Sequence, residues 1–142
     1  MQELTKVVNE LIDKNTKTKD IGKIALTKDD SKQIAQQKLE LSRYTVYLHY
    51  SNPDDKSIVE ELEKYLKNLG YVIPGIQKVT DKARDIRYFH DEDKDAANTL
   101  KKHVIKYFTS KKIAQDIKLP IKNLGASYPD VRAGLIEVWL YL

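Results

Sequence analysis

Three histidines and two acid clusters are the side chains in this 142-residue sequence most able to do chemistry. His49, His90 and His103 carry imidazoles that titrate near neutral pH, ligate metals and move protons. Asp54-Asp55 and Asp91-Glu92-Asp93 set carboxylates beside the first two. His49 and His90 together with Asp54, Asp91 or Asp93 would make a metal site or an acid–base couple, and so a small metal-dependent enzyme.

A plainer account competes with it. Both acid clusters stand where helices begin, and the positive end of a helix attracts carboxylates without any ligand. Neither cluster has the spacing of a calcium loop. His90 falls where a helix cap belongs, and His103 beside a helix stripe. We therefore assign no catalytic residue, metal site or cofactor, and expect a protein that is not an enzyme. The absence of cysteine excludes disulfides, thiolate catalysis and Cys-ligated metals. The five glycines (Gly22, Gly70, Gly75, Gly125 and Gly134) are too scattered for a phosphate loop. Ser51 and Ser57 flank a helix start with no nucleophile elbow around either.

The elements that would position these groups are legible from periodicity. All twelve aromatic residues and all four prolines lie at or after Tyr44, so residues 1–43 form a region of different character. Leu4, Val7, Val8, Leu11 and Ile12 share one face of a helix over residues 1–15. A second helix is expected to start with Thr27 as its N-cap and to reach about Leu41. This helical extension, 1–43, precedes a domain over 44–142.

At Tyr44 the period changes to two. Tyr44, Val46, Leu48 and Tyr50 alternate with Thr45, Tyr47 and His49, which reads as a strand. Asn52-Pro53 opens a helix, as cap and first residue. Ile58, Val59, Leu62, Tyr65, Leu66 and Leu69 form its stripe, and Gly70 ends it. A second strand begins at Tyr71-Val72-Ile73, is disturbed by Pro74-Gly75 and resumes at Ile76–Val79. Asp85–Phe89 is a third strand and Asp91–Phe108 a long helix. Ile117–Leu124 is a fourth strand, with Pro120 marking an edge. Leu135–Leu142 closes the chain as a strand, with Glu137, Trp139 and Tyr141 on one face.

A shift of 38 residues superposes the two halves of this domain. Leu48 and Tyr50 fall on Ile86 and Tyr88, and Asp54, Asp55 and Lys56 on Glu92, Asp93 and Lys94. The fold class expected is α+β, a ferredoxin-like (split βαβ) antiparallel sheet with two helices on one face. To it are added an extra C-terminal strand and the N-terminal helical extension. In that plan the first and third strands are neighbours, which would bring His49 and His90 together.

The sheet face away from the helices is the most informative surface. Alternation turns Tyr47, His49, Arg87, Phe89, Trp139 and Tyr141 outward there. Such a face can receive the apolar stripe of residues 1–41, a second copy of the domain or another partner. It also resembles RNA-recognition modules, whose rings stack on bases. The short motif of those modules is absent, since the third strand reads Asp85-Ile86-Arg87-Tyr88-Phe89-His90. The net charge of +4 permits nucleic-acid contact without arguing for it. It divides as +2 in residues 1–43 and +2 in the remainder, with no polybasic arm. The last strand would also offer β-augmentation if it lay at an edge.

Several stretches in turn resemble a known family. They are Tyr44-Thr45-Val46-Tyr47-Leu48, Leu66-Lys67-Asn68-Leu69-Gly70-Tyr71-Val72, Ile86-Arg87-Tyr88-Phe89 and the acid-rich helix start after them. Together they resemble the C-terminal domain of LytR-type cell-envelope proteins and, more distantly, SPOR-type domains. That family places an Asn-Gly turn after the first strand, where this chain has His49-Tyr50-Ser51-Asn52-Pro53-Asp54. The resemblance implies an accessory, non-enzymatic binding module of a bacterial protein with a βαββαβ core.

The expectation is a binding or assembly module that recognises a protein, peptide or glycan, or another copy of itself. Its anchors would be Tyr47, His49, Arg87, Phe89, Trp139 and Tyr141. Nucleic-acid binding through the same face is the alternative, and the His49–His90 enzyme the second. No run approaches the roughly 18 apolar residues of a membrane helix, so no membrane insertion is expected. The start has neither a basic nor an apolar signal region. Read as a full-length chain the protein is expected to be cytoplasmic; read as a fragment, its compartment is open.

Overall fold

A computed structural model describes residues 28–142 of the chain. The helix expected over 1–15, the Thr27 cap and any cover that residues 1–27 give the sheet lie outside the described residues. The chain divides between Leu39 and Glu40. Helix α1 (Lys28–Leu41) is the second of the two expected N-terminal helices. Among the described residues no helix is long and apolar enough to cross a membrane.

The second unit, Glu40–Leu142, is an α+β domain with a five-stranded sheet. Its elements follow the periodicity. Strand β1 (Thr45–Tyr50) leads through a one-turn 3-10 segment into α2 (Lys56–Leu69) and then β2 (Ile76–Lys78). Strand β3 (Asp85–Tyr88) leads through a second such segment into α3 (Lys94–Lys111) and β4 (Ile121–Asn123), and β5 (Leu135–Leu140) closes the domain. Asn52 caps as expected, its Oδ1 accepting from Asp54 N at 3.0 Å. Gly70 stops α2 at φ 125°, a conformation that suits glycine. Pro74-Gly75 splits the second strand into an isolated bridge at Val72 and the short β2.

One side of the sheet carries the core. Val46, Leu48, Ile86, Ile136, Val138 and Leu140 meet Val59, Leu62 and Leu66 of α2 and Ala97, Leu100, Val104 and Phe108 of α3. All are essentially inaccessible, and burying each leucine is worth about 2 kcal/mol. The rings of Tyr65 and Tyr107 approach to 5.1 Å, so α2 and α3 lie side by side on this face.

The expected antiparallel sheet is corrected to a mixed one. Its strand order is β2-β1-β5-β3-β4. Strand β1 pairs in parallel with β2, and β3 in parallel with β4, so each half closes as a β-α-β crossover on its own neighbour. The last strand lies between the halves, parallel to β1 and antiparallel to β3. Its alternating burial supplies an apolar row to the core and an outward row to the other face, as an edge strand would; only the pairing distinguishes the two. Strand β5 therefore cannot augment a partner's sheet. The edges are β2 and β4, and Pro120 stands at the start of the latter, where a missing N–H costs nothing.

Candidate functional site

The face of the sheet turned away from α2 and α3, here called the distal face, is built in cross-strand rows. Tyr47, Glu137, Arg87 and Lys122 stand level in one row. Gln77, His49, Trp139 and Asp85 form the next. Period-two alternation on β1, β3 and β5 turns these side chains to the distal side.

Trp139 is the centre of the arrangement. The His49 ring stacks on it, with centroids 4.5 Å apart and planes 16° from parallel. The Arg87 guanidinium lies 4.1 Å from the indole centre. Since β5 runs between β1 and β3, the two groups reach the indole from opposite sides. Each contact adds about 1 kcal/mol to the burial of the ring. The indole N–H donates to Glu137 Oε1 at 2.9 Å. Arg87 is aimed by Asp85, which accepts from its Nε at 2.8 Å and from its Nη2 at 3.3 Å. Lys122 Nζ completes the cluster 3.0 Å from the same carboxylate. Asp85 is 1% exposed, and two cations offset the cost of burying its charge.

His49 is buried, and neither ring nitrogen has a hydrogen-bond partner. Burial lowers its pKa below 6.5; Glu137 opposes that shift and Arg87 adds to it. The imidazole is therefore neutral at neutral pH and serves as a flat packing surface. Tyr141 lies at the end of the face with Lys82 and Arg84 over its ring, 5.5 and 5.7 Å from its centre. Tyr47 and Tyr141 are half-buried.

Phe89 departs from the expectation. It is 7% exposed and packs edge-on against Tyr128, so it is not an open anchor. The loop from β4 to β5 crosses here because β4 is an edge and β5 is central. His90 bonds to the Val131 carbonyl of that loop, which fixes it as a structural residue. The topology also separates His90 from His49. Strand β5 stands between β1 and β3, which run in opposite directions, so His49, near the end of β1, lies level with the start of β3, whereas His90 lies beyond its finish. Among the described residues no group of histidine and acid side chains is placed to hold a metal ion. His103 is tied into the core side, where its Nδ1 and the Tyr71 hydroxyl share a hydrogen bond at 2.8 Å.

Two residues of the acid clusters have a structural role that the sequence reading did not assign them. Asp55 and Asp93 are buried and equivalent under the 38-residue shift. Asp93 Oδ2 accepts from Gly134 N at 2.7 Å, just before β5, and Asp55 Oδ2 from Leu142 N at 3.0 Å, just after it. Their equivalence under the shift was the available signal. Asp85 was missed as well, although it sits two residues before Arg87 on one strand face. A shallow, open depression of about 580 Å³ lies near His90, Asp91, Asn123 and Gly125. Its polar groups pair with each other: Asn123 donates to Asp91 at 2.8 Å and accepts from Gly125 N at 2.9 Å.

No family model matches the chain, and no curated protein or solved structure matches it. The functional reading rests on the geometry.

Proposed function

We propose that Glu40–Leu142 is a non-enzymatic binding module, an accessory domain of a bacterial protein, that recognises a protein, peptide or glycan partner across its distal face. The observation that carries this reading is the Arg87–Trp139–His49 stack. It spans three strands, with the Arg87 end held by the Asp85 carboxylate and the central indole N–H by Glu137. A large aromatic residue that is half-buried, rigid and ringed by polar groups is the composition of an interface anchor, because little side-chain entropy is left to lose on binding. Tyr47, Arg87, Trp139 and Tyr141 are the contact residues, and His49 is a support beneath Trp139.

The stack weighs against the nucleic-acid alternative. A base-stacking platform needs a free ring face. Both faces of the Trp139 indole are already engaged, and Phe89 is packed under Tyr128.

Trp139 is the chain's single tryptophan, so its fluorescence reports directly on the face. Titration with a panel of peptides, glycan oligomers and oligonucleotides should produce a saturable change with at least one peptide or glycan. Trp139→Ala, followed by calorimetry, should weaken that binding by about 2 kcal/mol, roughly thirtyfold. Affinity unchanged in Trp139→Ala would reject the reading.

A further inference from the structure

The charges on the distal face are unequally used. Both of its carboxylates are occupied: Asp85 by Arg87 and Lys122, Glu137 by the Trp139 indole. Arg132, at the margin, donates to Thr45 Oγ1 at 2.8 Å. Lys82 and Arg84 differ from all of these. They lie in the segment that crosses from β2 to β3, past the ends of β1 and β5, and both are exposed. They converge on the Tyr141 ring, and Arg84 also donates to the Tyr141 carbonyl oxygen. Neither makes an ion pair among the described residues. Two like charges on one ring without a counter-charge leave an unfilled demand for an anion. The Ser51 hydroxyl, buried and without a hydrogen-bond partner, follows the Tyr50–Leu140 pair and so stands next to Tyr141 in the register.

We infer that Lys82, Arg84 and Tyr141 form a carboxylate-receiving end of the distal face, and that the partner is an acidic, extended segment of another protein. This inference rests on the reading of the distal face as the binding surface, and it adds the partner's chemistry. The argument is charge complementarity. Lys82, Arg84, Arg87 and Lys122 outnumber the two carboxylates of the face, Asp85, which is paired with Arg87 and Lys122, and Glu137, which is bonded to the Trp139 indole, so the charge excess is positive and favours an anionic incoming group. A Glu or Asp side chain seats between the Lys82 and Arg84 head groups, where Arg offers a paired donor fork. The segment then continues over the edge of Trp139 towards Lys122. A peptide suits this path better than a nucleic acid, since both faces of the Trp139 indole are engaged and two cations lie over the Tyr141 ring.

The test is calorimetric titration of the full chain at low salt with poly-L-glutamate, poly-L-lysine and oligothymidylate. Poly-L-glutamate should bind, weaken with added salt, and lose at least tenfold in affinity in Lys82→Glu/Arg84→Glu. The control Lys102→Glu/Lys106→Glu makes the same charge change on exposed residues of α3 and should stay within about twofold. Circular dichroism checks that both variants fold. An equal loss in the two variants would overturn the inference by reducing the effect to net charge. Oligothymidylate binding as tightly as poly-L-glutamate would overturn it in favour of nucleic acid. No binding of poly-L-glutamate would also overturn it, leaving the face to residues 1–27 or to a second copy, which sedimentation distinguishes. A neutral peptide or glycan whose binding is lost in Trp139→Ala but kept in Lys82→Glu/Arg84→Glu would remove this inference and leave the binding face intact.

Discussion

His49 carries the sharpest consequence at the scale of single residues. Its ring is stacked, buried and neutral, with both nitrogens unsatisfied. Well above pH 6.5 the imidazole is neutral in the folded and unfolded chain alike, so it contributes no pH dependence there. Below 6.5 the unfolded chain binds a proton that the folded chain still excludes, so stability falls until the lowered folded pKa is passed. His103 acts in the same direction, lowered first by burial and then by Lys106. Urea midpoints measured near pH 7.5 and at about pH 5 should therefore show a loss on acidification. His49→Phe keeps a ring against Trp139 and removes the unsatisfied nitrogens. It should match or exceed the wild-type stability at neutral pH by up to about 1 kcal/mol and shrink the acid loss. An acid loss unchanged in His49→Phe would contradict this account of His49. Alternation alone found Trp139, Arg87 and His49 in the sequence. It did not find the role of Asp85, because that role depends on Lys122, 37 positions away and brought alongside only when β4 pairs with β3.

At the scale of elements, the crossing loop after β4 makes the tightest backbone contact described. A Cβ on Gly125 would stand 2.1 Å from the Phe89 carbonyl oxygen, whereas a Cβ on Gly75 would meet nothing within 4 Å. Gly125→Ala should thus cost about 1–3 kcal/mol, while Gly75→Ala should be neutral or stabilising by about 0.5 kcal/mol. Thermal unfolding of the two variants checks this, and equal effects would contradict the packing described. Most of the elements were legible, because period two and period 3.6 are local properties and Asn52, Pro53 and Gly70 punctuate them. Strand order was not. The outward row Glu137, Trp139 and Tyr141 reads the same at an edge as at the centre, and the identity of a strand's neighbours is a long-range choice. Placing β5 centrally also changed the site: it put Trp139 between β1 and β3 and took His90 away from His49.

The whole domain is two copies of one β-α-β motif gripping a shared strand. The copies run in opposite directions on the two sides of β5, and the paired aspartates hold its ends: Asp93 at the beginning and Asp55 beyond the finish. Asp93→Ala leaves the buried Gly134 N–H unpaired and should cost about 1–3 kcal/mol, and Asp55→Ala, which frees the part-buried Leu142 N–H, about 1 kcal/mol. Hydrogen exchange should show the local result. Asp93→Ala should raise exchange at Gly134 and the start of β5, and Asp55→Ala at its end. Protection unchanged at the end of β5 that each aspartate faces would contradict the grip.

The same strand carries Trp139, the anchor of the proposed binding face, so the grip holds that residue in place. The most direct test is an amide and indole NMR titration of the full chain with the tightest-binding member of the peptide, glycan and oligonucleotide panel. The predicted shifts centre on the Trp139 indole and extend to Tyr47, Glu137, Arg87 and Tyr141. Shifts confined to the exposed sides of α2 and α3, or no binding by any member of the panel, would contradict the central claim.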